Sequence, residues 1–443
     1  MPILSKEEAQ ALLKKVLSYS KAEECEVSLN GSEGGNIRYA LNAVSTAGDI
    51  STTGFSVTSA YGKKSASATG DEFDDASLER VVRRSEELAQ LAPENLEREP
   101  MPGPATFKDS IMYNANTAAM TPESRADLVG KSLDVCKKAN LSAAGFLENS
   151  TSFEAVMNSK GFFAYNKSTD VIFSVTTRND AGTASGYAAR GFTDVKKLDT
   201  ESATRIATMK ANASLGAKAL EPGKYTVILE PVAATYLLEN MFRFDARSAD
   251  EGRSFLSKKG GGTRVGEQLM DEKVTIYSDP FDPDLPAATW GRDGLPREKT
   301  IWVDKGVVKT LSYNRAYAAK KGVAPQAGPE NIIMMGGNTS LEEMIKSTEK
   351  GILVSRLWYI RMVDPQVLLL TGLTRDGTFY IENGEIKFPV KNFRFNESPV
   401  IMLNNLEALG KPERSISVES YRSYMIPPMK VRDFTFSSLS DAV

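Results

Sequence analysis

The chain has 443 residues, 41% hydrophobic and 25% charged, which gives room for two or three domains and sets aside the disordered and fibrous classes. Its 54 Lys and Arg against 57 Asp and Glu leave a formal charge of −3, so no net field draws a nucleic acid, and no apolar run reaches the roughly 20 residues of a membrane span. Histidine is absent and only Cys25 and Cys136 are present, which excludes Ser-His-Asp and Cys-His catalysis, imidazole-ligated zinc and a Cys₄ zinc site.

The first residues lack the charged, apolar and small-residue regions of a signal peptide, and two cysteines suit a reducing compartment, so a cytoplasmic location is expected. An enzyme built from these residues is left with carboxylate chemistry, a lysine base or a hard metal held by oxygen.

Ser5 and Glu8 are spaced as a capping box, and Ala9, Leu12, Leu13, Val16 and Leu17 share one face, predicting a first helix. Between 25 and 69, short alternating segments such as 37–41 and 54–60 predict antiparallel strands. Leu78, Val81, Val82 and Leu88 predict an amphipathic helix over 75–91. Prolines 93, 100, 102 and 104 then mark a linker, because each lacks an amide donor. The same order returns after it: a helix entered at Thr121-Pro122, strands over 143–189 and a helix over 200–219. This repeated helix–strand–helix order suggests two similar units.

Beyond Pro222-Gly223 the pattern becomes strand-rich. Residues 225–229 read as a buried strand, followed by a helix entered through Pro231. Asp304-Lys305-Gly306 and Glu382-Asn383-Gly384-Glu385 read as hairpin turns, 341–348 as a short helix, and 352–362 as a strand buried on both faces. The expected fold class is α+β: two similar N-terminal units of helices layered on strands, then a strand-rich C-terminal domain. The expected boundaries are 1–92, a proline-rich linker at 93–110, 111–221 and 222–443.

From about 225 to 322 the order of a strand, a helix, a Gly-rich loop, a strand ending in Asp279-Pro280 and the run DGLPREKTIWVDKGVVKTLSYN resembles the C-terminal domain of the TldD/PmbA family. The stretches 337–354 and 376–386 and the NSKG turn at 158–161 resemble it too, whereas 250–259 and 371–377 depart from it. Catalytic members carry a Leu-Leu-His-Glu-x-x-x-His helix in which the histidines bind zinc and the glutamate acts on the attacking water. The matching stretch here is Leu237-Leu238-Glu239-Asn240-Met241-Phe242-Arg243-Phe244. The resemblance therefore puts Glu239 and Phe244 at the histidine positions and Asn240 at the glutamate. An amide cannot take a proton from metal-bound water, and a phenyl ring cannot ligate zinc.

The resemblance implies the TldE or PmbA role: a non-catalytic subunit that binds no metal itself and works on unfolded or short peptides. Zinc would reside in a TldD-type partner subunit with an intact motif. A homodimer is the other assembly. Two rival functions stay open, a self-sufficient hydrolase using Glu239 or Asp245 with a hard metal, and a binding protein for gyrase or its toxins, after the family's label as a modulator of DNA gyrase. No membrane and no direct nucleic-acid contact are expected.

Arg243, Asp245, Glu251, Arg253 and Arg292 are candidates to line a peptide cleft, although acids and bases three or four residues apart more often lace a helix face. Gly260-Gly261-Gly262 lacks the nucleotide-loop fingerprints and reads as a loop near the cleft. Trp290, Trp302, Trp358 and Tyr359 read more readily as core than as a peptide groove.

Overall fold

The computed structural model describes residues 3–291 and 293–440; Arg292, one of the cleft candidates, lies outside them. The N-terminal elements are α1 (Lys6–Ser18), β1 (Glu24–Ala40), β2 (Ala43–Tyr61), β3 (Lys64–Gly70), α2 (Asp75–Leu91), α3 (Ala115–Ala118), α4 (Pro122–Lys138), β4 (Ser142–Asn158), β5 (Phe163–Arg178), β6 (Ser185–Phe192) and α5 (Thr200–Ala213). Helix α1 begins with the capping box: Ser5 Oγ accepts from the Glu8 amide at 3.2 Å while the Glu8 carboxylate accepts from the Ser5 amide at 2.8 Å. Helix α5 stops at Ala213, short of the expected 219.

The two helix–strand–helix runs share a single antiparallel sheet, in the order β3-β2-β1-β4-β5-β6. Strands β1 and β4 pair from Glu26↔Asn158 to Tyr39↔Gly145, so the runs are continuous through hydrogen bonds. The strands are 17 and 19 residues long in β1 and β2, not the short segments the alternation suggests. Odd-numbered residues of β1 face the helices at both ends. Cys25, Val27 and Leu29 pack in the cluster of α1 and α2, and Ile37 and Tyr39 in that of α4 and α5. Side-chain period two thus places both helix pairs on one face. The opposite face of β5 and β6 brings Ile172, Tyr187 and Ala189 against Ile416 of the C-terminal region.

That region comprises β7 (Gly223–Leu229), α6 (Pro231–Leu238), α7 (Ala246–Asp250), β8 (Ile276–Ser278), β9 (Thr300–Asp304), β10 (Val307–Val308), α8 (Arg315–Lys321), β11 (Ile333–Met334) and α9 (Leu341–Lys346). It continues with β12 (Lys350–Asp364), β13 (Leu369–Glu382), β14 (Glu385–Pro389), β15 (Phe393–Glu397), α10 (Pro399–Asn404), β16 (Leu406–Leu409), β17 (Glu413–Ser417), β18 (Arg422–Ile426) and β19 (Met429–Leu439). One sheet runs β12-β7-β19-β15-β13-β14, and β12 also pairs β13, so five strands close on themselves. Closure removes the free edges of those strands and encloses a core that includes Val227, Ile352, Phe393, Phe395, Phe434 and Phe436. A second sheet runs β10-β9-β8-β11-β18-β17.

The Asn383-Gly384 turn joins β13 to β14 with φ of 52° and 77°, the left-handed pair a tight hairpin requires. Strand β12 departs from its expected two-sided burial. Residues 351–357 are buried, but Tyr359, Met362 and Val363 are exposed, after register breaks at 354/356 and 358/361. The fold is α+β, and among the described residues no helix is long and apolar enough to cross a membrane.

Candidate functional site

Strand β7 delivers the chain to Glu230, and Pro231 at the first turn starts α6, where a missing amide costs nothing. Residues 233–238 are all buried against the barrel and neighbouring strands. The α-helix ends at Leu238, passes through a 3₁₀ turn over Glu239–Met241 and leaves helical geometry at Phe242. The stretch with the motif resemblance is therefore a helix end rather than a continuous helix.

Each of its three positions is occupied by an interaction of its own. The Glu239 carboxylate accepts hydrogen bonds from Ser417 Oγ at 3.1 Å and Ser420 Oγ at 2.8 Å, across on β17 and the turn after it. Burial raises its pKa above the ordinary carboxylate value, against the pull of the two hydroxyls. Asn240 Nδ2 donates to the carbonyls of Tyr236 and Leu237 at 3.2 and 3.4 Å, satisfying acceptors that the helix end exposes. Phe244 is 1% exposed, and its ring stacks on Trp302 with centroids 5.3 Å apart and planes 11° from parallel.

Zinc does not fit this set. One position carries an aromatic ring packed against another, one carries an amide turned back on its own helix, and the carboxylate is bonded to two hydroxyls. Among the described residues no three His, Cys, Asp or Glu side chains gather as a metal-binding group.

The charged candidates lie just beyond. Asp245 caps α7 by accepting from the Ser248 amide at 2.7 Å. Glu251 pairs with Arg247 at 2.9 Å and with Arg253, and Arg247 reaches Glu97 at 2.8 Å, where Lys320 also pairs at 3.3 Å. These groups tie the proline-rich segment to α7 and α8. Arg243 is exposed and makes no ion pair among the described residues. The three glycines at 260–262 all have positive φ in an exposed turn closed by the Lys258 amide on the Gly262 carbonyl. Trp290 and Trp302 are core, 3% and 1% exposed, whereas Tyr359 is more than half exposed.

A buried polar cluster escaped the sequence. Arg356 on β12 donates to Asp376 on β13 at 2.7 Å, with side chains 10% and 0% exposed. The guanidinium sits 3.7 Å from the ring centre of Tyr187 on β6 and 5.7 Å from that of Tyr236 on α6. Burial works against the Arg356 charge, but Tyr187, Asp376 and Tyr236 outweigh it and hold the pKa above its usual value. Close by, Lys210 on α5 pairs with Glu230, whose other oxygen accepts from Ser355 Oγ at 3.1 Å. The signal that could have found Asp376 is Asp-Gly inside an otherwise strand-like run, which marks a bulge.

A helix-covered sheet followed by a closed barrel, with a short helix leaving the barrel's first strand, defines a multi-domain α+β protein. Models of the PmbA/TldA metallopeptidase domains match in order: domain 1 over 25–89, the central domain over 108–215 and the C-terminal domain over 222–438. The chain belongs to the TldD/PmbA family. A metalloprotease of Methanothermobacter thermautotrophicus is 26% identical over 243 residues, and the match spans about half of each chain, 51% of both. Two solved structures share the fold over 97% of this chain. A Thermotoga maritima protein named for modulation of a DNA gyrase has a TM-score of 0.86 at 17% identity, with 100% of its own chain covered. TldE of Thermococcus kodakarensis has a TM-score of 0.85 at 18% identity, with 99% covered.

Proposed function

We infer that this protein is the non-catalytic, TldE-like subunit of a metallopeptidase complex, paired with a TldD-type chain that carries the intact zinc motif and the zinc. The observation that carries this is the packed state of 239–244: the stacked Phe244, the self-capping Asn240 and the hydroxyl-bonded Glu239 leave no group able to hold zinc hydroxide. The likeness to TldE and the family membership support it. The chain contributes surface around the partner's site, and the substrates are unfolded or short peptides.

A carboxylate-only hydrolase has little support, since Glu239 is bonded to two serines and Asp245 is spent on a helix cap. The test is co-expression with a homologue bearing His-Glu-x-x-x-His. The two chains should co-purify, with zinc and peptide cleavage present in the pair and absent from this chain alone. Stoichiometric zinc and chelator-sensitive cleavage by the lone chain would overturn the proposal.

A further inference from the structure

The N-terminal sheet has a long open edge. Strand β3 covers β2 only from Phe55↔Gly70 to Tyr61↔Lys64, so among the described residues the first half of β2 pairs with β1 alone. Residues 43–52 are all exposed, and the register with β1 runs unbroken from Thr46↔Arg38 to Thr52↔Ser32. At about 3.4 Å per residue this straight stretch is about 24 Å long. The two-residue turn at Gly62-Lys63 makes Tyr61↔Lys64 a hydrogen-bonded pair, and alternation along β2 then turns the N–H and C=O of Ala47, Asp49 and Ser51 outward, away from β1. These groups meet no other strand or loop among the described residues.

Native sheets blunt such an edge with an outward charge, a proline, a bulge or a covering loop. Between Thr46 and Thr52 there is no proline, and the bulge at Arg38/Tyr39 lies beyond the end of the stretch. Asp49 is its one charged residue, and that carboxylate is turned onto the helical face, where the buried Arg125 of α4 holds it.

The side chains decide what the edge can take. A stable chain–chain interface needs about 800 Å² per partner around an apolar centre. Val44 and Ile50 are the large apolar side chains here, and their places opposite Tyr39 and Gly34 put them on opposite faces of the sheet. Ser45, Thr46, Ala47, Gly48, Ser51 and Thr52 are small. Such an edge offers main-chain hydrogen bonds without side-chain pockets, which suits brief pairing with a chain of any sequence rather than a permanent second subunit.

We propose that residues 46–52 of β2 bind an extended stretch of unfolded polypeptide, which adds to the sheet as a further strand through the outward groups of Ala47, Asp49 and Ser51. This deepens the peptide-handling reading above and rests on it: the chain that brings no zinc brings a strand edge that holds the substrate extended.

The test is fluorescence anisotropy of the full chain with two fluorescein-labelled decapeptides, one alternating threonine with lysine and one alternating threonine with glutamine. Both should bind, within about threefold of each other, and N-methylation of the four central residues, which removes donors from both edges of the peptide, should weaken each about tenfold or more. Ala47→Pro with Ser51→Pro, which takes two outward donors and leaves the bonds to β1, should weaken both by a similar factor. Neither decapeptide binding at millimolar concentration, N-methylated forms binding as well as the parents, or a folded double variant binding like the wild type would each overturn the proposal. So would a wild-type chain that sediments as a dimer beside a monomeric double variant, or a double variant that no longer co-purifies with a TldD-type chain, since the edge would then belong to a second subunit. Binding is read on the lone chain, so its failure leaves the subunit reading standing, and failure of the wild-type chain to co-purify leaves the binding result standing.

Discussion

The Phe244 ring lies nearly parallel to the Trp302 indole, 5.3 Å between centroids, with both residues 1% exposed. A position that the family resemblance assigns to a zinc ligand is thus part of the apolar core joining the end of α6 to β9. Phe244→Ala should therefore cost stability by about 3–5 kcal/mol, the range for deleting a buried aromatic ring. Urea denaturation followed by tryptophan fluorescence checks it. A loss below about 1 kcal/mol would show that the stack contributes little.

Glu239 yields a pH dependence with a defined sign. Burial raises its folded pKa above the ordinary 4.5, so the protonated carboxyl is favoured in the folded state. Its contribution to stability is fully present below the unfolded value and is lost as pH rises through the folded value. Glu239→Gln should flatten that part of the stability–pH curve, measured by denaturant titration across the acidic to neutral range. An unchanged slope would contradict the assignment.

Arg356→Met should be among the most damaging single changes in the chain. It leaves the Asp376 carboxylate, 0% exposed, without its hydrogen-bonded cation and with only Arg375 at 3.9 Å, and breaking a buried pair from one side costs about 3–5 kcal/mol. Replacing both partners together, Arg356→Met with Asp376→Leu, should cost less than the sum of the single changes. A double-mutant cycle by equilibrium unfolding measures the coupling.

The β13–β14 hairpin depends on Gly384. Its φ is 77°, and an added Cβ would lie 2.7 Å from the Lys346 carbonyl oxygen. Gly384→Ala should destabilise by at least about 1–2 kcal/mol through left-handed strain, with the clash in addition. Hydrogen exchange should show faster opening at this hairpin first. Uniform protection would argue against it.

Much of the fold was legible because its signals are local. The Ser5/Glu8 capping box, the apolar stripe of α2, the proline entries at 122 and 231 and the Asn383-Gly384 pair each act within a few residues, and the elements fall there. Burial of Ile352 to Leu357 was legible too, while the exposed continuation through Tyr359 and Val363 was not. Hydrophobicity does not reveal where a strand outruns the sheet that covers it. The charged candidates behaved likewise: spacing foretold the pairing of Glu251 with Arg247, but not that Arg247 would also reach Glu97.

Composition alone determined one thing no packing can alter: without histidine, the helix end at 239–244 has no imidazole to offer a metal. Only the tertiary structure decided that β1 joins β4 to make one sheet, that β12 meets β13 to close a barrel, and that Asp376 turns inward beside Arg356. Those pairings connect residues far apart in sequence. Their register follows from how buried faces match across the whole molecule, information that no short window of residues contains.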